Sequence, residues 1–432
     1  MFFSFKKFSN SKYAKYLPKR DLDNLKYLTG IFPFKVSEYV LDELIDWQNY
    51  KNDPIYRLTF PTKKMLSLKN WKLLKEANTE KDKRFVVRQI RRTLNPHPDG
   101  QKDNIPKIGN RTFEGIQHKY RETVLFFPAH GQTCHSYCTY CFRWAQFVNL
   151  DDYKFKSNDY QVLFDYLVCN RQVTDILFTG GDPMWMNNER LFKYLDIIAM
   201  PELNHVKNIR IGTKSLAFFP ERYLGEQGTE LLQKFESLKK QGKNITIMAH
   251  FSHFKELGTK KVQQAVQRIL NAGVMIRTQA PLIRGINDSP DVWREMWKKS
   301  VFMGMVPYYM FVERDTGAHE YFSVPLSDAY NIFTEAYSRV TGLAKTVRGP
   351  SMSAWPGKVM VDGIIGSGVN KKFVLKFIQC RNSDLINKPF YAKYDNQATW
   401  LDELEIEPEM NRFLIEMAEN SDLEDDCMND VA

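Results

Sequence analysis

The chain has 432 residues, 43% hydrophobic and 26% charged, the composition of a folded protein rather than a disordered one. No run approaches the roughly 20 apolar residues of a membrane span. The start, MFFSFKKFSNSKYAKY, is too interrupted by Lys, Ser and Asn for a signal-peptide core, so the expected location is cytoplasmic. A net charge of +10 raises nucleic acid as a partner class, but the Lys and Arg residues are scattered without a dense run or an aromatic-interleaved stripe.

Residues 1 to about 115 read as polar helices and loops, with WKLLKEANTEKDKRFVVRQIRRTL helical and a Pro/Gly/Asn-rich linker near 95–110. The rhythm then changes to short apolar runs, each followed by a loop and a helical pattern. Strands are expected at 122–129, 173–180, 207–214, 243–250, 273–280 and 306–313. Helices are expected between them at 159–169, 188–199, 229–241, 259–272 and 289–302, with another at 327–341. This alternation predicts an α/β fold, a partial (β/α)6 barrel on residues 116–365 with chemistry at the strand C-terminal ends. It is preceded by the N-terminal helical region (1–115) and followed by a C-terminal extension (366–432) ending in the acidic ENSDLEDDCMND.

Six cysteines occur, and three of them crowd into GQTCHSYCTYCFRW as Cys134, Cys138 and Cys141. Clustering of this kind in a large intracellular chain favours metal or catalysis over disulfides. Three soft thiolates on one loop suit three corners of a [4Fe–4S] cluster and leave one iron open to a small ligand. Zinc is the competing reading, but it wants four closed ligands at paired spacings, and a second Cys-x2-Cys pair is missing.

The Cys-x3-Cys-x2-Cys spacing, with Tyr140 before the third cysteine, resembles the signature of the radical S-adenosylmethionine (SAM) superfamily. Further segments are similar to the lysine 2,3-aminomutase family, in order: HKYRETVLFF (118–127), LFTGGDP (177–183), RIGTKSLAFFPER (210–222), HFSH (250–253), RTQAPLIRGINDS (277–289), VPYYMF (306–311) and RGPSMS (348–353). The resemblance covers roughly residues 115–365. It implies SAM contacts from Gly180, Gly181, Asp182, His250 and Gln279, and a substrate-carboxylate grip by Arg143. Taken alone, Gly-Gly-Asp is also an ordinary strand-to-helix turn, and a strand-end His or Gln is often only a polar terminus.

Members of this family hold pyridoxal phosphate (PLP) as a Schiff base on a lysine that closes a Pro-Gly-Gly-Gly-Gly-Lys loop. The matching region here reads WPGKVMVDGIIGSGVNKK (355–372), without the tight glycine run. The expected anchors are Lys371 or Lys372, with Lys358 earlier on a strand, and Lys214 stands where the family has a phosphate-clamping arginine. The family's lysine-binding aspartates should fall near 314 and 361, where Arg314 and Val361 occur, with Asp315 and Asp362 one step away. Arg314 would repel an ε-ammonium group.

The sequence therefore points to a radical SAM enzyme generating a 5′-deoxyadenosyl radical and acting as an amino-acid aminomutase (an isomerase). A PLP-free radical enzyme of the same family on another substrate is one alternative. A basic nucleic-acid-binding protein with a structural metal site is another. Expected partners are a small molecule of amino-acid type and an electron donor such as flavodoxin or ferredoxin. Neither membrane nor nucleic acid is expected, and a homo-oligomer is compatible.

Overall fold

In a computed structural model of the chain, residues 1–95, 104–148, 155–355 and 357–419 are described. The linker expected near 95–110 lies partly outside them, and so does the acidic tail with Cys427.

One eleven-stranded sheet organises the molecule, and each strand neighbours its predecessor in sequence. Its first six strands are β1 (Ile116–Tyr120), β2 (Thr123–Phe126), β3 (Asp175–Phe178), β4 (Asn208–Thr213), β5 (Asn244–His250) and β6 (Met275–Leu282). The rest are β7 (Val306–Val312), β8 (Arg348–Ser353), β9 (Gly357–Ile365), β10 (Lys372–Cys380) and β11 (Pro389–Lys393). Strands β2 to β8 pair in parallel. Antiparallel strands flank them, β1 on one side and β9 to β11 on the other.

Six helices connect the parallel strands: Tyr160–Cys169, Asn188–Ile198, Gly225–Lys240, Lys260–Asn271, Pro290–Phe302 and Leu326–Ser338. Three of their starts are set by short polar caps. Asp159 accepts from Gln161 N–H, Asn187 from Arg190 N–H and Thr259 from Val262 N–H, each meeting an otherwise orphaned donor of the first turn. The strands alternate between two apolar environments, as the period of two requires. On β4, Ile209, Ile211 and Thr213 are buried, whereas Asn208, Arg210 and Gly212 on the other face are half-buried. The buried set joins the main core with Leu191, Leu195, Leu231 and Phe235 from the covering helices.

The sheet is open, because its edge strands β1 and β11 do not pair. It curves far enough that Lys119 on β1 donates to the Ala354 carbonyl just beyond β8, at 2.6 Å. The arrangement is the partial (β/α)6 barrel expected, with β8 as an additional parallel strand. The antiparallel extension β9–β11 was not expected, and it builds its own core from Val359, Val361, Phe373, Leu375, Phe377 and Trp400. Residues 1–95 form short helices, among them Lys19–Leu28, Leu68–Glu76 and Glu80–Thr93, whose apolar faces share the main core. Among the described residues no helix is long and apolar enough to cross a membrane.

Candidate active site

The loop after β2 carries the three cysteines. It makes a tight turn at Ala129–Gly131 and ends in the short helix Trp144–Phe147. Inside it, the Cys141 N–H donates to the Cys138 carbonyl (3.1 Å) and the Trp144 N–H to the Cys141 carbonyl (3.0 Å). The N-terminal region clamps this loop from outside. Tyr137 N–H donates to the Lys35 carbonyl (2.9 Å), Ser37 N–H to Ser136 Oγ (2.9 Å), and Thr139 N–H to the Leu58 carbonyl (2.9 Å). Lys35 Nζ reaches Thr133 Oγ1 at 2.5 Å. Nothing in the sequence pattern of residues 1–95 announced this clamp, because its donors and acceptors are backbone groups that any residue carries.

The three cysteines are free and half-buried. Burial pushes Cys138 up to about 12 and Cys141 to about 11, and raises Cys134 as well. Lys35, Lys214 and Arg143 oppose that rise at Cys134, Cys138 and Cys141 respectively. Three buried thiols ringed by cations suit thiolate ligation. Among the described residues no three His, Cys, Asp or Glu side chains converge as ligands of a single ion do. Buried polar atoms without partners also gather on this loop: His130 Nδ1, Gln132 Oε1, His135 Nδ1 and Arg143 Nη1. The residues present therefore fit the cluster.

The Gly180-Gly181-Asp182 turn after β3 packs directly on the loop. A Cβ on Gly180, whose φ is +126°, would fall 2.0 Å from Gln132 Nε2, and one on Gly181 would fall 2.4 Å from Thr133 N. The glycines thus permit contact between two loops, a use different from the direct ligand approach expected of them. Asp182 is buried, and its carboxylate accepts from Met184 N–H (3.0 Å), Thr213 Oγ1 (2.6 Å) and Lys214 N–H (3.0 Å). It ties the ends of β3 and β4 to the cysteine loop, with His135 Nδ1 3.6 Å away.

His250 ends β5, and its Nε2 lies 3.0 Å from Gln279 Nε2 on β6, so the two expected residues meet across adjacent strands. Burial, and then the Lys214 charge, pushes His250 down to about 4, leaving a neutral imidazole at pH 7. Lys214 itself is committed elsewhere. Its ammonium lies 2.8 Å from Glu256 Oε1, and donates to Ser252 Oγ (3.2 Å) and to the His250 carbonyl (3.3 Å). Ser252 in turn meets the Tyr140 hydroxyl at 3.0 Å. Lys214 therefore braces the strand ends beside Cys138, and its charge is already balanced by Glu256.

Arg143 is buried and its guanidinium stacks on Phe127 (4.4 Å to the ring centre) and Phe142 (5.1 Å). The Arg314 guanidinium also lies by Phe142, 5.6 Å from the ring centre, with Nη2 donating to the Ser353 carbonyl. Lys119 is close enough to feel Arg314, and burial pushes it down to about 7. Glu313, just before Arg314, is buried; burial raises its carboxyl to about 7, and it pairs with His319 Nδ1 at 3.0 Å. Asp362 is exposed and paired with Lys376 at 3.0 Å, while Val361 packs in the second core.

The lysines sort differently from the sequence expectation. Lys371 and Lys372 lie at the turn between β9 and β10, over the rings of Tyr394 and Tyr391, and Lys372 is exposed. Lys358, on β9, points into the barrel instead, 4.3 Å from the centre of the Tyr309 ring and 5.5 Å from that of Phe311. Burial, then Arg348, Arg210 and Lys119, push its ammonium down to about 7.

No family model matches the chain. A protein of Aquifex aeolicus provisionally named L-lysine 2,3-aminomutase is 28% identical over 91% of this chain and 93% of its own length. The L-lysine 2,3-aminomutase of Methanococcus maripaludis is 26% identical over 76% of this chain and 65% of its own. The glutamate 2,3-aminomutase of Clostridioides difficile is 29% identical over 49% of this chain and 47% of its own. The cysteine spacing, the ordered motifs and these relatives agree in supporting a lysine 2,3-aminomutase-like radical SAM family for the chain.

Proposed function

We propose that the chain is a radical SAM aminomutase acting on an amino acid whose side chain is not cationic. In this reading Cys134, Cys138 and Cys141 hold a [4Fe–4S] cluster, and the strand ends at Asp182, His250 and Gln279 border the SAM site. Arg143 holds the substrate carboxylate, and Lys358 is the covalent anchor for PLP in place of Lys371 or Lys372. When bound, the cluster and SAM supply a 5′-deoxyadenosyl radical, and PLP supplies a hold on the migrating nitrogen.

The chain's own groups do the rest. Arg143 offers a planar, permanently charged fork, and its Nη1 has no partner among the described residues, so a carboxylate can complete it. His250 and Gln279 offer neutral hydrogen-bonding groups at the same mouth. Lys358 is deprotonated in good part near pH 7, the state in which a lysine amine is nucleophilic. The aromatic faces of Tyr309 and Phe311 beside it exclude water and can stack on a planar ring. Arg314, at the place where an aspartate was expected, disfavours an ε-ammonium and favours an anionic side chain. The relative named for glutamate supports that choice.

The observation that carries the reading is Lys358, a buried amine with a lowered pKa, set inside the same barrel as the cysteine loop. Borohydride trapping after anaerobic reconstitution with iron, sulfide and PLP tests it. The expected result is one reduced pyridoxyl adduct, on Lys358. SAM cleavage to 5′-deoxyadenosine without any such adduct would instead favour a PLP-free radical enzyme.

A further inference from the structure

Outside the barrel a cleft of about 520 Å³ opens on the N-terminal region, lined by Arg20, Lys51, Arg57, Lys63, Lys64 and Lys75 against Tyr50, Tyr56 and Trp71. Its single acidic lining residue is Asp21, which accepts from the Tyr50 hydroxyl at 2.8 Å and lies 3.7 Å from Arg20 Nε. Lys51, Lys63 and Lys64 are exposed, and among the described residues none has a carboxylate partner. Lys75 spends its charge on rings, 3.9 Å from the centre of Tyr27 and 5.4 Å from that of Trp71. The proposed chemistry described above does not use this concentration of unbalanced positive charge.

The position of the cleft supplies a use. Its floor residue Arg57 accepts the Thr139 hydroxyl through its carbonyl (2.8 Å), and the next carbonyl, Leu58, accepts the Thr139 N–H (2.9 Å). Thr139 follows Cys138 directly. The cleft wall at Tyr321 leads through Phe322 to the Tyr140 ring, with ring centres 4.8 and then 6.5 Å apart. The basic cleft therefore backs onto the outside of the cysteine loop, and the site of Arg143, His250 and Lys358 lies on its inside. One hydrogen bond and one peptide unit separate the cleft floor from a cluster-ligand candidate.

We propose that this cleft is the docking surface for an acidic one-electron carrier protein, which reduces the cluster from the face opposite the substrate. The proposal rests on the radical SAM reading, because only that reading requires an electron from outside. The step is a plain transfer: a reduced flavin on the carrier loses one electron and the cluster gains it, with no bond made or broken. Electron-transfer encounters are weak and small, and are steered by complementary charge, which suits a cleft edged by mobile lysines.

The test uses the full, reconstituted chain and an acidic flavodoxin. Calorimetry with oxidised flavodoxin reads docking without turnover. 5′-Deoxyadenosine formation is then compared with reduced flavodoxin and with dithionite as reductant. Lys51→Glu, Lys63→Glu and Lys64→Glu combined should weaken flavodoxin binding at least tenfold. The same variant should slow flavodoxin-driven cleavage to a similar degree and leave dithionite-driven cleavage unchanged. The combined Gln variant, expected to show an intermediate loss, decides the matter if charge reversal perturbs the fold. Unchanged affinity in both variants overturns the proposal, and so does a cleft that binds a nucleic-acid duplex but not flavodoxin. If dithionite yields no 5′-deoxyadenosine from the unaltered chain, the radical reading fails, while calorimetry still decides the docking surface.

Discussion

Lys214 and Glu256 face each other at 2.8 Å, with 11% and 0% of their side chains exposed, and this pair joins the ends of β4 and β5 beside Cys138. Glu256 also accepts the N–H groups of Ser252 and His253 through Oε2, so one carboxylate holds the turn that follows β5. Glu256→Ala removes the partner of a buried cation and orphans two buried donors. A loss of about 3–5 kcal/mol in unfolding free energy is expected from denaturant titration of the unloaded chain. Lys214→Met should cost less, because Glu256 keeps its two backbone donors. Equal losses for the two variants would show that the ion pair and not the turn is what matters.

The cysteine loop makes a sharper prediction about metal content. Cys134→Ala, Cys138→Ala and Cys141→Ala should each lower the iron bound after anaerobic reconstitution and bleach the visible charge-transfer absorption. Cys380→Ala should leave both unchanged, because Cys380 packs in the core of β9–β11, away from the loop. Iron retained by all three loop variants would remove the cluster from this site.

Most of this architecture could be read from the chain because it rests on local rules. The six βα units, from Thr123–Phe126 onward, announce themselves through apolar runs of strand length and capped amphipathic helices. The cysteines and the His250–Gln279 meeting follow from spacing and from strand-end position. What stayed illegible depends on contacts between distant segments. Lys119 meeting the Ala354 carbonyl, or Leu58 holding Thr139, involves backbone acceptors with no residue code. The antiparallel strands β9–β11 were missed because their alternation follows a barrel that already appeared complete. Lys358 does not stand out from Lys371 and Lys372 in the sequence because abundance makes any lysine look like a solvated one, and only its burial separates it from them.

That burial gives Lys358 a distinctive pH signature. An ordinary lysine amine is protonated below about 10.4, whereas Lys358 is pushed down to about 7. The yield of borohydride-trapped PLP adduct should rise through a midpoint near pH 7 and then level off, and Lys358→Arg should abolish it. Lys371→Ala and Lys372→Ala should leave it intact. In the unloaded chain the folded-state pKa lies below the unfolded one, so the charged form opposes folding. Lys358→Met should therefore stabilise the fold most below pH 7, by on the order of 4 kcal/mol, with the gain fading as pH rises toward 10. A pH-independent gain would place Lys358 in a wetter setting than this.

Arg143 and Arg314 both lie by the Phe142 ring, and their different surroundings predict different defects on substitution. Arg143 is buried, with one guanidinium nitrogen unpartnered, which suits a group common to every amino-acid substrate. Arg143→Lys keeps the charge but loses the planar fork. It should weaken binding of any amino acid by roughly 10–100-fold, about 1.4–2.7 kcal/mol, whatever the side chain. Arg314 already spends one nitrogen on the Ser353 carbonyl and stands where the resemblance leads one to expect an aspartate. Its contribution is discrimination between substrates. Arg314→Asp should lower affinity for glutamate and raise affinity for lysine, changing their ratio at least tenfold in calorimetry on the reconstituted chain. Arg314→Gln should give an intermediate ratio, since it removes repulsion without adding attraction. If Arg314→Asp leaves the ratio unchanged while Arg143→Lys still weakens both ligands, Arg314 serves only to fix the end of β8, and the side-chain preference must be sought at the buried Glu313–His319 pair.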